Sequence, residues 1–480
     1  MRSGIKITVI VTLLSILSIK AQTIGHATVK TWANDRKSAF SFTFDDCLKS
    51  QYDYAVPVLN SFGFKATFFV IAEEPTDPGQ PLNWRYGTWD EFRQIAAEGH
   101  EIGSHSMTHP HLPQLPLGDI STPNTVYYEL YQSKELIEQK IPGINVTTFA
   151  YPYTEYNNNV QTIAGSYYES SRAGGDLPNS AVITGNTWNK LNAYEVQFNT
   201  PRNSVSDDND ELTQIENTLQ DDVLSSGKWG ILFAHEILPF SQIPDAVAAG
   251  YWYPMSTEWL TSFCQWMKTK SDNNEVWVTT QGNVTKYIKE RENFSSSIIS
   301  ATNSKIEISV TDTLDNNIFN YPLTVDILVP STWQNVVVKQ GSDSSTISTF
   351  STGGNTYVRA NVIPDGGTVV LTDDNATDIA DIENNTPNQF VLNQNYPNPF
   401  NPSTTISYAI PSESKVKLQI INLLGQEVAT LVNGTESAGH HKVKFNAGNL
   451  ASGIYIYRIM AVSLNSKKEF VSTKKLMLLK

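Results

Sequence analysis

Residues 40–53 read FSFTFDDCLKSQYD, an alternating apolar run followed directly by two adjacent carboxylates, Asp45 and Asp46. The alternation predicts a β-strand. Successive side chains of an extended strand point to opposite faces, so both aspartates can reach one site only if the strand ends near Phe44 and the chain turns. The stretch therefore predicts a strand that ends in a functional loop.

The same order of strand and polar loop recurs up to about residue 295 and alternates with helix-like segments. Apolar runs such as FKATFFVIA, VTTFAYPY, WGILFAHE and VWVTT end in residues with reactive side chains. TWDEFRQIAAEGH has a helical period, with Thr88 as the predicted N-cap and Gly99 at the C-terminal end. The alternation predicts an α/β fold with a largely parallel sheet, in which the carboxyl ends of the strands meet at one face.

Shifts in composition divide the chain into five segments. Two basic residues precede an apolar run shorter than the ~20 residues of a spanning helix, which predicts a signal peptide, and no later segment is apolar enough to span a membrane. We predict a signal peptide at 1–21, the α/β domain at 22–295, an accessory β-sandwich at 296–375, an acidic linker at 376–389 and a second β-sandwich at 390–480.

The accessory segment 296–375 has short alternating runs such as KIEISV and LTVDILV, which are typical of an antiparallel sandwich. Its most obvious aromatic platforms for a glycan are Tyr321, Trp333 and Tyr357. Because these are its only obvious platforms, a spacer role is favoured over glycan binding.

Charge and cysteine content exclude several classes of function. The formal net charge of -14 leaves no basic patch for nucleic acid and favours a neutral or weakly charged partner. The two cysteines, Cys47 and Cys264, could form one disulfide but not a disulfide framework. Because Cys47 lacks a CxxC spacing or a neighbouring histidine, we interpret it as a passive thiol.

Four of the eight histidines lie in GHEIGSHSMTHPH, between His100 and His111. His105 and His109 are four residues apart, and in a helical turn this spacing places both imidazoles on one face. Together with one aspartate they would hold a divalent metal and leave a position open for water. Alternatively, these histidines cap turns in a proline-rich loop. His100 and His111 fit the metal pattern less well and are candidates for structural or supporting roles.

Four motifs together resemble the polysaccharide deacetylases, the NodB-homology or carbohydrate esterase family 4 fold, over residues 35–292. They are TFDD at 43–46, HSMTH at 105–109, AYPY at 150–153 and LFAHE at 232–236. The resemblance implies a distorted (β/α) barrel that removes acetyl groups from a polysaccharide. It also implies a divalent metal ion, with Zn²⁺ favoured, held by Asp46, His105 and His109.

The resemblance further implies the catalytic roles. Asp45 would be the general base for the attacking water, the backbone N–H of Tyr153 would stabilise the oxyanion, and His235 would protonate the leaving group. Where many members have an arginine that orients the base, this chain has Ala150. Arg172, after a later predicted strand, is the candidate replacement.

Three further positions depart from the family pattern. Cys47 and Thr154 stand where glycine is usual, and Phe233 stands where a leucine often lines the acetyl pocket. We expect these changes to affect the rate and the acyl preference more than the metal site.

The last segment begins FVLNQNYPNPFNPSTTISYAI and resembles the C-terminal sorting domain of the bacterial type IX secretion system. The resemblance implies a small β-sandwich that engages the secretion machinery. It also implies export across the outer membrane, to the surroundings or to the cell surface.

The sequence thus predicts a secreted, metal-dependent N-deacetylase of an extracellular amino-sugar polymer, chitin-like or an exopolysaccharide. The same residues would serve an O-acetyl esterase acting on xylan-type glycans. A non-catalytic surface glycan-binding protein is the alternative from another class, and it is motivated by Ala150 and the accessory sandwich. The expected partners are an acetylated polysaccharide and the secretion machinery, and no nucleic acid.

Overall fold

The computed structural model describes residues 23–77, 79–80, 84–198, 205–374, 387, 389–422 and 425–479. The predicted signal peptide lies outside these residues. The chain divides into two units, Met1–Asn375 and Ala376–Lys480. Within the described part, no helix is both long and apolar enough to cross a membrane.

The first unit begins with alternating strands and helices, as the sequence predicts. The strands are β1 (Ala27–Val29), β2 (Ser38–Phe44), β3 (Thr67–Val70), β4 (Glu101–Ser104), β5 (Thr148–Ala150), β6 (Ser170–Arg172), β7 (Tyr194–Glu195), β8 (Trp229–Ala234), β9 (Ile237–Leu238), β10 (Met255–Ser256) and β11 (Val276–Val278). The helices are α1 (Val56–Ser61), α2 (Trp89–Ala97), α3 (Val126–Lys140), α4 (Asn158–Tyr167), α5 (Val205–Leu219), α6 (Ile243–Ala248), α7 (Thr257–Asp272) and α8 (Gln281–Asn293).

Eight of these strands form one parallel sheet in the order β6-β5-β4-β3-β2-β8-β7, with β11 also paired to β2. The segment around Leu191 joins the two edges. Its N–H donates to the carbonyl of Ser171 and its carbonyl accepts from Ala173, both at 2.8 Å, just before β7 pairs with β8. The predicted distorted (β/α) barrel is confirmed, and the carboxyl ends of its strands share one face.

Local sequence signals explain the helix that the sequence analysis singled out. Thr88 caps α2 in a reciprocal capping box with Glu91, and Gly99 follows its C-terminal end with a φ of +90°. Trp89, Phe92 and Ile95 point from one face of α2 into the core. The helix therefore begins and ends where its capping residues predict.

A β-sandwich follows within the first unit. Its strands are β12 (Ser295–Ala301), β13 (Lys305–Thr311), β14 (Leu323–Val329), β15 (Asn335–Gln340), β16 (Asp343–Ser348), β17 (Phe350–Thr352), β18 (Asn355–Val362) and β19 (Val369–Asp373). They form antiparallel sheets in the orders β12-β13-β19-β15-β16 and β1-β14-β18-β17. Strand β1, from the segment predicted as the α/β domain, pairs with β14 of the sandwich, with Ala27 opposite Ile327.

The sandwich shares a hydrophobic core with the α/β domain, and two of its aromatic residues pack at this core. The ring of Tyr321 lies 5.7 Å from Trp277 and 6.4 Å from Tyr287, and Trp333 is fully buried with its Nε1 bonded to a backbone carbonyl. Tyr357 is half-buried against Phe350. Trp333 therefore presents no exposed ring to a glycan, and Tyr321 is only partly exposed.

Glu290 of α8 lies buried at this shared interface and accepts a hydrogen bond from the Tyr321 N–H at 2.9 Å. Burial, with a contribution from Asp312, raises the pKa of Glu290 from its ordinary 4.5 to about 8. The folded protein therefore holds a proton on Glu290 that the unfolded chain has already lost. The stability that this proton supplies is complete below pH 4.5 and is lost as the pH rises through 8.

We expect Glu290→Gln to leave the free energy of unfolding nearly unchanged at pH 4.5 and to raise it by about 2 kcal/mol at pH 8. Urea unfolding followed by tryptophan fluorescence tests this, because all 10 tryptophans lie in the first unit. Glu292→Gln, on the same helix, is the matched control. Equal effects of Glu290→Gln at both pH values would contradict the assignment.

The second unit is all β. Its strands are β20 (Val391–Leu392), β21 (Ser403–Ile410), β22 (Ser414–Ile421), β23 (Glu427–Glu436), β24 (Gly439–Asn446), β25 (Gly453–Ser463) and β26 (Glu469–Leu478). They form antiparallel sheets in the orders β20-β21-β24 and β23-β22-β25-β26, around a core that includes Phe400, Tyr408 and Tyr457. The alternating runs of the last segment thus become strands with one buried face.

Candidate active site

The loop after β2 turns both aspartates toward the carboxyl ends of the barrel strands. Asp46 and Cys47 have φ values of +71° and +48°, in the left-handed region that few non-glycine residues adopt. The Asp45 N–H donates to the Ala234 carbonyl at 3.0 Å. The pairing of β2 with β8 ends at this point. The predicted turn after Phe44 is confirmed, and the positive φ of Cys47 fits the glycine that the family resemblance implies at this position.

The segment from His105 to His109 also departs from regular structure. It is not helical, because Ser106 and His109 have φ values of +69° and +59°. Pro110 follows, and the residue before a proline avoids the right-handed helical region. The expected helical turn is therefore wrong, although the loop still brings the two imidazoles to 4.8 Å between ring centres.

Asp46, His105 and His109 form a candidate metal site. Asp46 Oδ1 lies 3.4 Å from Nε2 of each histidine, and the ligand atoms all lie within 4.8 Å of one another. Four ligands at about 2.0–2.1 Å from a tetrahedral ion lie roughly 3.4 Å apart. Asp46 Oδ1 is also buried and accepts no hydrogen bond from any described residue. The donor set and its spacing fit a divalent ion.

Neighbouring groups prepare these side chains for a cation. The ring nitrogen Nδ1 of His105 lies 2.8 Å from the Ala150 carbonyl, which directs Nε2 toward Asp46. Burial and the nearby His105 lower the pKa of His109 to about 4, so this imidazole is neutral at pH 7. Burial raises the pKa of Asp46, but His105, His235 and His109 outweigh it and hold that pKa well below its ordinary value.

Asp45 is held by Arg172. Nη2 of Arg172 donates to Oδ2 of Asp45, and both side chains are buried. Arg172 ends β6 directly opposite Ala150 of β5. Arg172 therefore supplies its guanidinium from β6, beside the β5 position of Ala150 where the family pattern has an arginine. Asp45 Oδ1 accepts no hydrogen bond from the described residues and is open to a further donor.

Two aromatic rings enclose the guanidinium of Arg172. Its Cζ lies 4.4 Å from the ring centre of Phe233 and 5.4 Å from that of Phe69. Such contacts favour a cation that has lost its water. Phe233, which stands where the family often has leucine, therefore packs against the arginine that pairs with Asp45.

Tyr153 lies beside the metal-site histidines. Its ring centre is 4.5 Å from that of His109 and 4.1 Å from that of His111, and its own φ is +56°. Thr154 also has a positive φ of +58°, which fits the glycine that the family resemblance implies there. His111 bonds Glu155 at 2.9 Å and supports the Tyr153 ring from outside, whereas His100 accepts from the Ala66 N–H inside the domain.

His235 follows β8 at the same face of the barrel. It is half-buried, and its charge contributes to the low pKa of Asp46. The buried amide of Gln51 ties the two strand ends together, because its Nε2 donates to the carbonyls of Asp45 and His235. The structure thus brings all seven predicted site residues to one end of the barrel, together with Gln51, which the sequence analysis missed.

Glu129 is a second residue that the sequence analysis missed. It lies on the buried face of α3, where Oε2 accepts from the N–H groups of Met107 and Thr108 at 3.0 and 2.9 Å. Oε1 accepts from the Thr108 hydroxyl. Glu129 therefore fixes the loop that carries both histidines. A carboxylate on the apolar stripe of α3 was the signal that could have revealed it.

We expect Glu129→Ala to lower zinc affinity by about 10–100-fold, because residues that position metal ligands typically contribute that much. Calorimetric titration of the metal-free protein with zinc measures the effect. Glu135→Ala is the matched control, since Glu135 lies on the exposed face of the same helix. Equal affinities for both variants would contradict this role.

Both cysteines are buried free thiols. Burial raises the pKa of Cys47 well above its ordinary value and that of Cys264 likewise. Neutral thiols are poor nucleophiles, which agrees with the passive role predicted for Cys47.

Two segments of the chain match known protein families. The polysaccharide deacetylase family model matches residues 33–168, and that of the secretion system C-terminal sorting domain matches residues 394–475. A gellan lyase from a Bacillus species is 26% identical over 365 residues, covering 74% of this chain and 13% of that protein. YxkH of Bacillus subtilis is 31% identical over 116 residues, covering 24% and 37%. The chain thus spans well under two thirds of these curated relatives.

Among solved structures, the peptidoglycan deacetylase PdaC of Bacillus subtilis is 17% identical, with a TM-score of 0.32, over 53% of this chain and 93% of that one. The sorting domain marks the protein for export, to the surroundings or to the cell surface. Residues 33–168 thus carry a polysaccharide deacetylase domain, and residues 394–475 carry a secretion system C-terminal sorting domain.

Proposed function

We propose that the protein is a secreted, metal-dependent N-deacetylase of an extracellular amino-sugar polymer. This proposal rests on one observation, the different partners of the two adjacent carboxylates Asp45 and Asp46. Asp46 faces two imidazole nitrogens at 3.4 Å, whereas Asp45 is paired with a buried arginine. One carboxylate is thus arranged to bind a cation and the other to remain a base.

The residues would act in the following order. Asp46, His105 and His109 would hold a divalent ion, with zinc favoured by its two nitrogen donors and one oxygen donor; when bound, it would polarise water and the acetyl carbonyl. Asp45 accepts the proton of the attacking water, and Arg172 keeps this carboxylate oriented.

The remaining groups would handle the charge that develops on the substrate. The backbone N–H of Tyr153 donates to the oxygen that becomes negative in the tetrahedral intermediate. His235 then protonates the departing nitrogen, so that acetate and a free amine leave. Each step uses a side chain or backbone group at the carboxyl ends of β2, β4, β5, β6 or β8.

The same chemistry on O-acetyl groups is the second candidate, because His235 would protonate an alcohol equally well. A non-catalytic glycan-binding protein is less well supported, since Arg172 supplies the guanidinium whose apparent loss at Ala150 motivated that alternative. The sorting domain supports the secretion machinery as the partner during export.

Acetate release from N-acetylated and O-acetylated glycans tests the proposal. We expect the full chain to release acetate from an amino-sugar polymer, to lose this activity with a chelator and to regain it with added zinc. Release from acetylated xylan alone would replace the N-deacetylase by the O-acetyl esterase. No release from any glycan by a zinc-loaded protein would overturn both.

A further inference from the structure

The loop that carries the proposed oxyanion donor has an unfavourable backbone conformation. Tyr153 and the next residue, Thr154, have φ values of +56° and +58°. Non-glycine residues in the left-handed region cost free energy, and such a conformation persists only where the surrounding structure fixes it. Within the loop, the N–H groups of Thr154 and Glu155 donate to the carbonyls of Tyr151 and Pro152 at 2.9 and 3.1 Å. Because both bonds are internal to the loop, they do not fix Tyr153 relative to the metal-site histidines.

A row of four aromatic rings connects this loop to the candidate metal site. The ring centres of His105 and His109 lie 4.8 Å apart, in an edge-on contact. The Tyr153 ring lies 4.5 Å from His109, also edge-on, and 4.1 Å from His111, with only 15° between the last two ring planes. Aromatic rings attract one another in both arrangements. The Tyr153 ring is therefore enclosed between a candidate metal ligand and His111.

His111 forms the outer end of this row and is itself held by Glu155. Nδ1 of His111 lies 2.9 Å from Oε2 of Glu155. The two side chains are 46% and 45% exposed, so the bond by itself adds little stability. His111 belongs to the loop of the metal-site histidines, and Glu155 belongs to the loop of the oxyanion donor. The bond therefore joins the two loops and keeps the imidazole over the Tyr153 ring.

The residue at position 154 explains why such a support is useful. Glycine, which the family resemblance implies there, adopts a positive φ without steric cost, whereas the β-branched Thr154 does so only with strain. The chain therefore combines an unfavourable residue inside the loop with an imidazole that braces the loop from outside.

We infer that His111, held by Glu155, is a positioning residue for the Tyr153 N–H and compensates for threonine at position 154. The inference rests on the proposed function and deepens it. The row of rings would keep the oxyanion donor at a fixed separation from His109, which is the geometry that stabilisation of a developing negative charge requires.

Acetate release by the full chain tests this inference, measured on whichever of six-sugar chitin oligosaccharide and acetylated xylan the wild type hydrolyses. We expect His111→Ala to lower kcat by about tenfold, less than the ~10²–10³-fold loss that follows outright removal of an oxyanion donor. KM and zinc affinity should change little, because the N–H acts on charge that develops only in the transition state. His111→Phe keeps a ring over Tyr153 and should restore most of the lost kcat.

His441→Ala is the matched control for this variant. His441 also stacks on a tyrosine ring, that of Tyr408 at 5.1 Å with 14° between the planes, and it lies 3.2 Å from the carboxylate of Glu436. It belongs to the sorting domain, so His441→Ala should leave kcat unchanged. Thermal unfolding verifies that each variant folds.

A double variant tests the compensation directly. In a Thr154→Gly background the loop adopts its positive φ without strain, so adding His111→Ala should lower kcat by no more than about threefold. A tenfold fall in both backgrounds would overturn the inference, because the effect of His111 would then not depend on Thr154.

The outcomes separate this inference from the proposed function. An unchanged kcat in His111→Ala, an equal loss in His111→Phe, or an equal fall in His441→Ala would overturn the inference while acetate release still supports deacetylation. If the wild type releases no acetate, the proposed function fails, and hydrogen exchange of residues 150–157 in the zinc-free full chain decides the inference instead. Exchange that becomes about tenfold faster in His111→Ala but not in His441→Ala supports it, and unchanged exchange overturns it.

Discussion

Replacing Arg172 with methionine is expected to lower kcat by about 10²–10⁴-fold, because Asp45 then loses the group that orients it as a base. The change should also lower the free energy of unfolding by roughly 3–5 kcal/mol, since the Asp45 carboxylate remains buried without its cation. Acetate release and urea unfolding measure the two effects. Arg93→Met, at a surface ion pair with Asp90, is the matched control and should cost less than about 1 kcal/mol.

A double variant distinguishes orientation from simple destabilisation. Arg172→Met combined with Asp45→Asn removes both charges, so most of the lost stability should return while activity stays absent. If the double variant were as unstable as Arg172→Met alone, the buried ion pair would not be the cause. If Arg172→Met kept near-normal kcat, Arg172 would not orient the base.

Replacing Asp46 with asparagine is expected to lower zinc affinity by roughly a thousandfold. The change removes a charged ligand, which should cost more than the ~10–100-fold loss seen when a residue that only supports a ligand is removed. Zinc should also no longer raise the unfolding temperature, because the ligand then has little preference for the folded state. Calorimetric titration and thermal unfolding with and without zinc measure these effects.

Asp90→Asn is the control for this variant, because Asp90 lies at the surface of α2, away from the imidazoles. It should bind zinc as the wild type does. Wild-type affinity in Asp46→Asn would contradict the assignment of the three ligands. Loss of zinc binding in both variants would point to a general effect on the fold.

The barrel was predictable because its signals are local. The alternation ending at Phe44 and the capping box at Thr88 each specify an element from neighbouring residues. The pairing of β1 with β14 was not predictable, because it joins residues about 300 positions apart. The burial of Trp333 and the packing of Tyr321 against Trp277 depend on similar long-range contacts, which no periodic pattern in the sequence indicates.

The site was predictable to the extent that its residues form motifs. The motifs identified Asp45, Asp46 and both histidines, although Pro110 makes their loop non-helical. The pairing of Arg172 with Asp45 depends on the register between β5 and β6. The sequence could therefore suggest Arg172 only as a candidate. Cys47 and Thr154 depart from glycine at positions whose φ is positive, which became interpretable only once the backbone was known.

The most direct test of the central claim is Asp45→Asn, measured for both zinc content and acetate release. The claim is that the two adjacent carboxylates divide metal binding from proton transfer. We predict that this variant binds zinc like the wild type and folds, but releases acetate at a rate lower by about 10²–10⁴-fold. Near-normal acetate release by Asp45→Asn, or loss of its zinc, would contradict the division of roles between Asp45 and Asp46.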